Sequence, residues 1–329
     1  MRREVVVITG ASAGVGRAIA REFGRRGARV GLLARGRDGL EAARREIEEA
    51  GGEALVLPVD VARADELDAA AAAVERAFGA IDVWVNNAMV SVFSPSWEMT
   101  ADEYRRVTEV TYLGVVHGTL AALRSMLPRD RGTVVQVGSA LAYRSIPLQS
   151  AYCAAKHAVV GFTDAVRCEL HHARSRVHLT AVHLPAMNTP QFDWVKNRLP
   201  RKGQPVPPVF EPEVGARAVF WAAHHRRREV AVGGPTVKAL LGQKLFPGLL
   251  DRYLGRVGYD AQQRPEPRDP AAPDNLWAPV PGDHGARGSF DVVARRSSVQ
   301  VWANQHRLGL SLAAAGALAS LAALVVRRR

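Results

Sequence analysis

Val5-Val6-Val7-Ile8-Thr9-Gly10-Ala11-Ser12-Ala13-Gly14-Val15-Gly16 is the stretch that decides the fold. Its four leading apolar, β-branched residues read as a short buried strand, and the glycines behind them end it in a tight turn. A glycine turn lets backbone N–H groups approach an anion, and the helix that opens behind it adds its positive end. Strand, glycine turn and helix in that order read as a pyrophosphate cradle, with Gly10, Ser12, Ala13, Gly14, Val15 and Gly16 as its contacts. A glycine-rich octamer alone is weak evidence, and its position between strand and helix is what gives it weight.

Working outward, short apolar runs recur at Arg29–Ala34, Ala54–Pro58, Ile81–Val85, Thr133–Val137, Val177–His183 and Glu229–Val232. Helical patterns rich in Ala, Arg and Glu, such as Gly39–Ala50 and Glu66–Phe78, separate them. Strands with little polar alternation, each followed by a helix, predict a parallel sheet covered on both faces. The expected fold is a single α/β domain, a doubly wound parallel sheet of Rossmann type with about seven strands. It is expected to span residues 1–259.

The second strand bears on cofactor choice. It ends in Arg35, with no acid before Asp38. A carboxylate there would accept from a ribose 2′-hydroxyl, whereas a guanidinium offers a fork of donors to a 2′-phosphate. Arg35 thus points to NADP(H) rather than NAD(H), the alternative being a solvated surface arginine.

Tyr152 and Lys156 stand four residues apart and share one helix face. Of six tyrosines in the chain, Tyr152 alone has a lysine four residues on. A fixed ammonium near a phenol favours the phenolate and moves a pKa near 10 toward neutrality. Ser139 follows the fifth strand, thirteen residues before Tyr152, where this fold places ligand chemistry.

These motifs resemble the short-chain dehydrogenase/reductase family over roughly residues 5–235. The resemblance rests on the TGxxxGxG turn, on Ser139, and on Tyr152 and Lys156. It is extended by Asp60-Val61 after the third strand, Asn86-Asn87-Ala88 after the fourth, and Pro185 with Thr189 after the sixth. It implies that Asp60, Val61, Asn87, Ala88, Pro185 and Thr189 contact the nicotinamide dinucleotide. It also implies that hydride passes between the cofactor and a carbonyl/alcohol substrate, with Tyr152 as general acid/base. Ser139 would then hold the substrate oxygen, and Lys156 the nicotinamide ribose. Met89 and Ala186 replace two of the family's glycines. In Val110-Thr111-Tyr112-Leu113-Gly114, Thr111 stands where the family has a water-holding Asn. Relatives are commonly homo-oligomers. Phe192 and Trp194 fall where the family has its substrate lid, either lining an apolar pocket or packing the lid down. The opposing reading is a catalytically quiet dinucleotide sensor, and sugar epimerase chemistry is a third.

A formal net charge of +12 raises nucleic acid or membrane as a partner. Only five of the 44 basic residues are Lys, the arginines are scattered, and no RNA-recognition or zinc-finger spacing occurs, so neither nucleic acid nor a metal is expected. Cys153 and Cys168 share a helical region too far apart to bridge and read as reduced, buried thiols. Met1–Glu4 leads straight into the first strand without a signal-like run, which fits a cytoplasmic catalytic domain.

Residues 260–305, with their many prolines, read as a linker disordered in part. Residues 306–329 read as a hydrophobic helix. Leu308 to Val326 holds nineteen uncharged residues, about 28 Å of helix, which matches a bilayer core. Seven of the nineteen are Ala, so packing on the body or on a partner is the competing reading to a membrane anchor.

Overall fold

The computed structural model describes residues 3–307 and 309–310. Seven strands form one parallel sheet: β1 (Val5–Thr9), β2 (Arg29–Ala34), β3 (Glu53–Pro58), β4 (Val83–Asn86), β5 (Thr133–Ser139), β6 (His178–Leu184) and β7 (Glu229–Ala231). Their order is β7-β6-β5-β4-β1-β2-β3, with every neighbouring pair parallel. All seven expected strands are present, with ends shifted by a residue or two. The order reverses between β1 and β4, which opens a crevice at their carboxyl ends where such sheets bind ligands.

The sheet divides the core by side-chain alternation. Val6 and Ile8 join one buried cluster, which holds Ile19 and Phe23 of α1 (Gly14–Gly24) and Leu40 and Ile47 of α2 (Arg37–Glu49). Val5 and Val7 face the other, with Leu67 and Val74 of α3 (Ala64–Phe78) and Ala122 of α5 (Gly114–Met126). Between them in the chain, α4 (Ala101–Thr108) starts with a capping box, Thr100 and Glu103 satisfying each other's backbone N–H groups. A π-helical turn, Glu109–Leu113, joins α4 to α5. The 23-residue α6 (Ser150–His172) carries Tyr152 and Lys156 in its first two turns. Both cysteines lie on α6. Cys153 is buried, but Cys168 is exposed, against the expectation that both would be internal.

The proline-rich stretch expected as a partly disordered linker is instead packed on the body. Gln263–Pro267 pairs antiparallel with Arg201–Gly203. Leu276, Ala286 and Val301 are buried in the two main clusters. The Arg295 N–H donates to the Val209 carbonyl at 2.9 Å. Proline lacks an N–H, so a proline-rich chain can lie across a surface with few ladder bonds while widely spaced apolar residues anchor it. The expected boundary at residue 259 therefore does not separate the following segment from the catalytic body. Among the described residues no helix is long and apolar enough to cross a membrane. The 308–326 run falls almost wholly outside the described residues.

Candidate active site

The crevice opens into a cavity of about 540 Å³, bounded on one side by the glycine turn and on another by Ser139, Tyr152 and Lys156. Gly10, Ser12, Ala13, Gly14 and Val15 all line it. Gly10 and Gly14 take φ of +67° and +58°, a conformation that side chains disfavour. Gly16 is set back from the cavity. A Cβ there would lie 2.1 Å from the Gly10 carbonyl oxygen, so glycine is what allows α1 to pack against the turn.

The residues after β4 brace this cradle. The Asn87 side-chain amide donates to the carbonyls of Thr9 and Gly10, and the Thr9 hydroxyl accepts from the N–H groups of Asn87 and Ala88. Asn87 and Ala88 also line the cavity, as do Asp60, Val61, Pro185 and Thr189. A cradle only glycine can form, at a helix N-terminus, fits the pyrophosphate of a nicotinamide dinucleotide.

Arg35 lines the same cavity beyond the turn. Its guanidinium donates to the backbone carbonyls of Asn275 and Trp277, the latter at 2.9 Å. Burial and the neighbouring Arg106 lower its pKa, against an upward pull from Asp60. Arg106 donates to the Asp60 carboxylate at 2.6 Å. Burial pushes the Asp60 carboxyl up, but the hydrogen bonds from Arg106 and the Ala62 N–H outweigh it and hold the group below its ordinary value. Arg35 is thus neither a free surface residue nor open to solvent on every side.

Parallel pairing of β5 with β6 brings Ser139 opposite Leu184, beside Pro185. Ser139 is the last residue of β5, and its hydroxyl oxygen accepts from the Leu141 N–H at 3.1 Å, which caps the turn that follows. Tyr152 and Lys156 are 9% and 3% exposed. Lys156 donates to the Val137 carbonyl at 2.8 Å, and its nitrogen lies 5.7 Å from the Tyr152 ring centroid. Burial lowers the Lys156 pKa to about 8. Burial also raises the Tyr152 phenol well above its usual value, against a downward pull from its hydrogen bond with Ser139. Desolvation outweighs that hydrogen bond, so the shift runs upward. An upward shift favours the protonated phenol.

Thr111 is not brought to the cavity. It sits fully buried in the π-helical turn, donating to the Val90 carbonyl at 2.9 Å and accepting from the Val90 N–H at 3.1 Å. The structure makes it a clasp between two backbone segments. Lid residues Phe192 and Trp194 do both things expected of them as alternatives. They line the cavity, and they pack, Phe192 edge-on to Phe93 and Phe290, and Trp194 edge-on to His284.

Two parts of the wall were not foreseen. Leu254 and Val257 reach it from the helix Pro247–Val257, and Asn275, Pro279, Val280, Gly282 and His284 reach it from the proline-rich segment. Neither stretch carries a motif that spacing could have flagged.

A fold of this order with a serine at the end of β5 and a Tyr/Lys pair on α6 defines a nucleotide-dependent oxidoreductase type. The short chain dehydrogenase family model matches residues 4–198, and the chain belongs to that family. An uncharacterized oxidoreductase of Bacillus subtilis is 31% identical over 327 residues, covering 98% of this chain and 91% of its own. A crystallised metagenomic short-chain oxidoreductase in complex with NADP is similar at TM-score 0.59 and 31% identity, covering 70% of this chain and 96% of its own. A variant of actinorhodin polyketide ketoreductase with NADPH is similar at TM-score 0.63 and 30% identity, covering 71% of this chain and 97% of its own.

Proposed function

We propose that the protein transfers hydride between NADP(H) and the carbonyl/alcohol carbon of an apolar substrate, working as a reductase. The observation that carries this is convergence: Ser139, Tyr152 and Lys156, each at most 9% exposed, border the same cavity as the glycine turn and Arg35.

The cofactor, when bound, supplies the hydride chemistry. The chain's own residues supply the rest. Tyr152, held protonated by burial, donates its proton to the oxygen that develops negative charge. Ser139, whose oxygen accepts from the Leu141 N–H, would donate its O–H to that same oxygen. Lys156 keeps an ammonium beside the phenol and fixes the start of α6 against β5. Thr189 and Pro185 border the cavity at the end of β6, where a nicotinamide amide would find them.

Preference for NADP(H) is supported by Arg35, whose fork of donors suits a 2′-phosphate, and by the NADP and NADPH held by the two similar crystal structures. An apolar substrate is supported by the wall formed from Leu141, Ile146, Phe192, Val206, Leu254 and Val257. Reduction rates for a panel of ketones, aldehydes and quinones, with NADPH and NADH side by side, test the reading. Turnover of apolar ketones faster with NADPH is expected, and absence of turnover with every carbonyl would refute it.

A further inference from the structure

Four points of the dinucleotide cradle are gripped by chain about 240 residues or more away in sequence. The N–H of Gly14, the first residue of α1, donates to the Gly285 carbonyl at 3.0 Å. The Gly282 N–H donates to the Asp38 carboxylate at 3.0 Å, and the Asp283 carboxylate pairs with Arg17 at 3.3 Å. Arg35 donates to the carbonyls of Asn275 and Trp277. Between the last two, Leu276 is fully buried in the cluster of Val59 and Val61, and its carbonyl accepts from Arg106 at 3.1 Å. At the other end Ala286 is 2% exposed.

The intervening chain does not plug the crevice. Pro279, Val280, Gly282 and His284 face the same cavity as the glycine turn, so the void lies between the two. Pro279 and Pro281 stiffen this loop, and Gly282 and Gly285 turn at φ of +96° and +64°. An element anchored at both ends by buried apolar residues, and hydrogen-bonded to the cradle in between, is built as a cover.

We propose that residues 275–285 form a strap that roofs the dinucleotide site, pre-orients Arg35 and retains the bound cofactor. This rests on the nicotinamide-dinucleotide reading above. The carbonyls of Asn275 and Trp277 hold the guanidinium fork in one plane beside the cavity, so it meets a phosphate without first being ordered. Entry and exit of the adenosine half require the strap to lift.

Hydrogen exchange on the full-length protein tests this without a mutation. Saturating NADPH is expected to slow amide exchange in residues 275–285 by about tenfold or more, together with slowing in residues 10–16. Reduced nicotinamide mononucleotide, which lacks the adenosine half, is expected to leave 275–285 unchanged. Slowing at 10–16 with unchanged or faster exchange at 275–285 would overturn the strap alone, as would equal protection by the mononucleotide. No slowing at 10–16 with NADPH would overturn the dinucleotide reading and the strap with it. In the full-length Leu276→Ala variant, NADPH dissociation followed by stopped flow is expected to be at least about fivefold faster. A rate equal to that of the parent protein would count against the strap.

Discussion

Lys156 donates to the carbonyl oxygen of Val137 at 2.8 Å, tying the second turn of α6 to the end of β5 two residues before Ser139. The bond holds an ammonium in a site where burial has lowered its pKa to about 8. In the unfolded chain a lysine titrates near 10.4. Below about 8 both states are charged and burial works against folding. Between about 8 and 10 the folded group sheds its proton first, and the penalty fades.

Lys156→Met is therefore expected to stabilise the cofactor-free protein at pH 7 by roughly 1–3 kcal/mol. The gain should shrink as pH rises from 8 toward 10. Thermal unfolding of both proteins across that range checks it, and a destabilised variant at pH 7 would contradict it. The same variant should lose turnover.

Glu46 tests the sign in the other direction. Burial pushes its carboxyl up, but hydrogen bonds from Arg21 and the buried Arg17 pull it down to about 2. Its contribution is thus present above the unfolded value near 4.5 and fades as pH falls toward 2. Glu46→Gln should cost about 1–3 kcal/mol at pH 7, toward the lower end because Glu46 keeps some contact with solvent. Chemical denaturation at pH 7 and pH 3 should give a smaller difference between variant and parent at the lower pH. An equal difference at both would show that the pairing carries no charge dependence.

Arg35→Ala separates the two dinucleotides. Losing a charge-assisted fork to a 2′-phosphate should raise the KM for NADPH by roughly tenfold to a hundredfold. The KM for NADH should move far less. Parallel changes in both would mean that Arg35 acts through the wall it shares with Asn275 and Trp277 rather than through the phosphate.

Thr111 distinguishes a clasp from a proton relay. Thr111→Val leaves the buried N–H and C=O of Val90 without their partner and should cost about 1–3 kcal/mol of stability. Turnover by the folded protein should stay within about threefold of the parent. A variant of unchanged Tm with turnover down by a hundredfold or more would return Thr111 to the chemistry.

Much of this was legible before the structure. The strand VVVIT is followed by a turn whose glycines have no steric substitute, and the remaining apolar runs recur with helices between them, so sheet and crevice follow from local pattern. Ser139, Tyr152 and Lys156 were legible because strand ends and helical spacing fix where they point. Other features were hidden for different physical reasons. The strap's hold rests on Leu276 and Ala286, single apolar residues ten apart, which no window of periodicity detects. Arg35 is legible in the sequence as a candidate for a 2′-phosphate, but its carbonyl partners lie about 240 residues on. In the sequence, Thr111 stands out only through its family position. Whether its hydroxyl faces the cavity or Val90 depends on the π-helical turn, which the sequence does not announce.

If Tyr152 delivers the proton during carbonyl reduction, Tyr152→Phe removes the donor and leaves the rest of the ring in place. The measurement is NADPH consumption with the best ketone of the panel, alongside NADPH binding by the same variant. Turnover is expected to fall by about a thousandfold or more, with the NADPH Kd within about threefold of the parent. Turnover retained within tenfold, with binding intact, would contradict it.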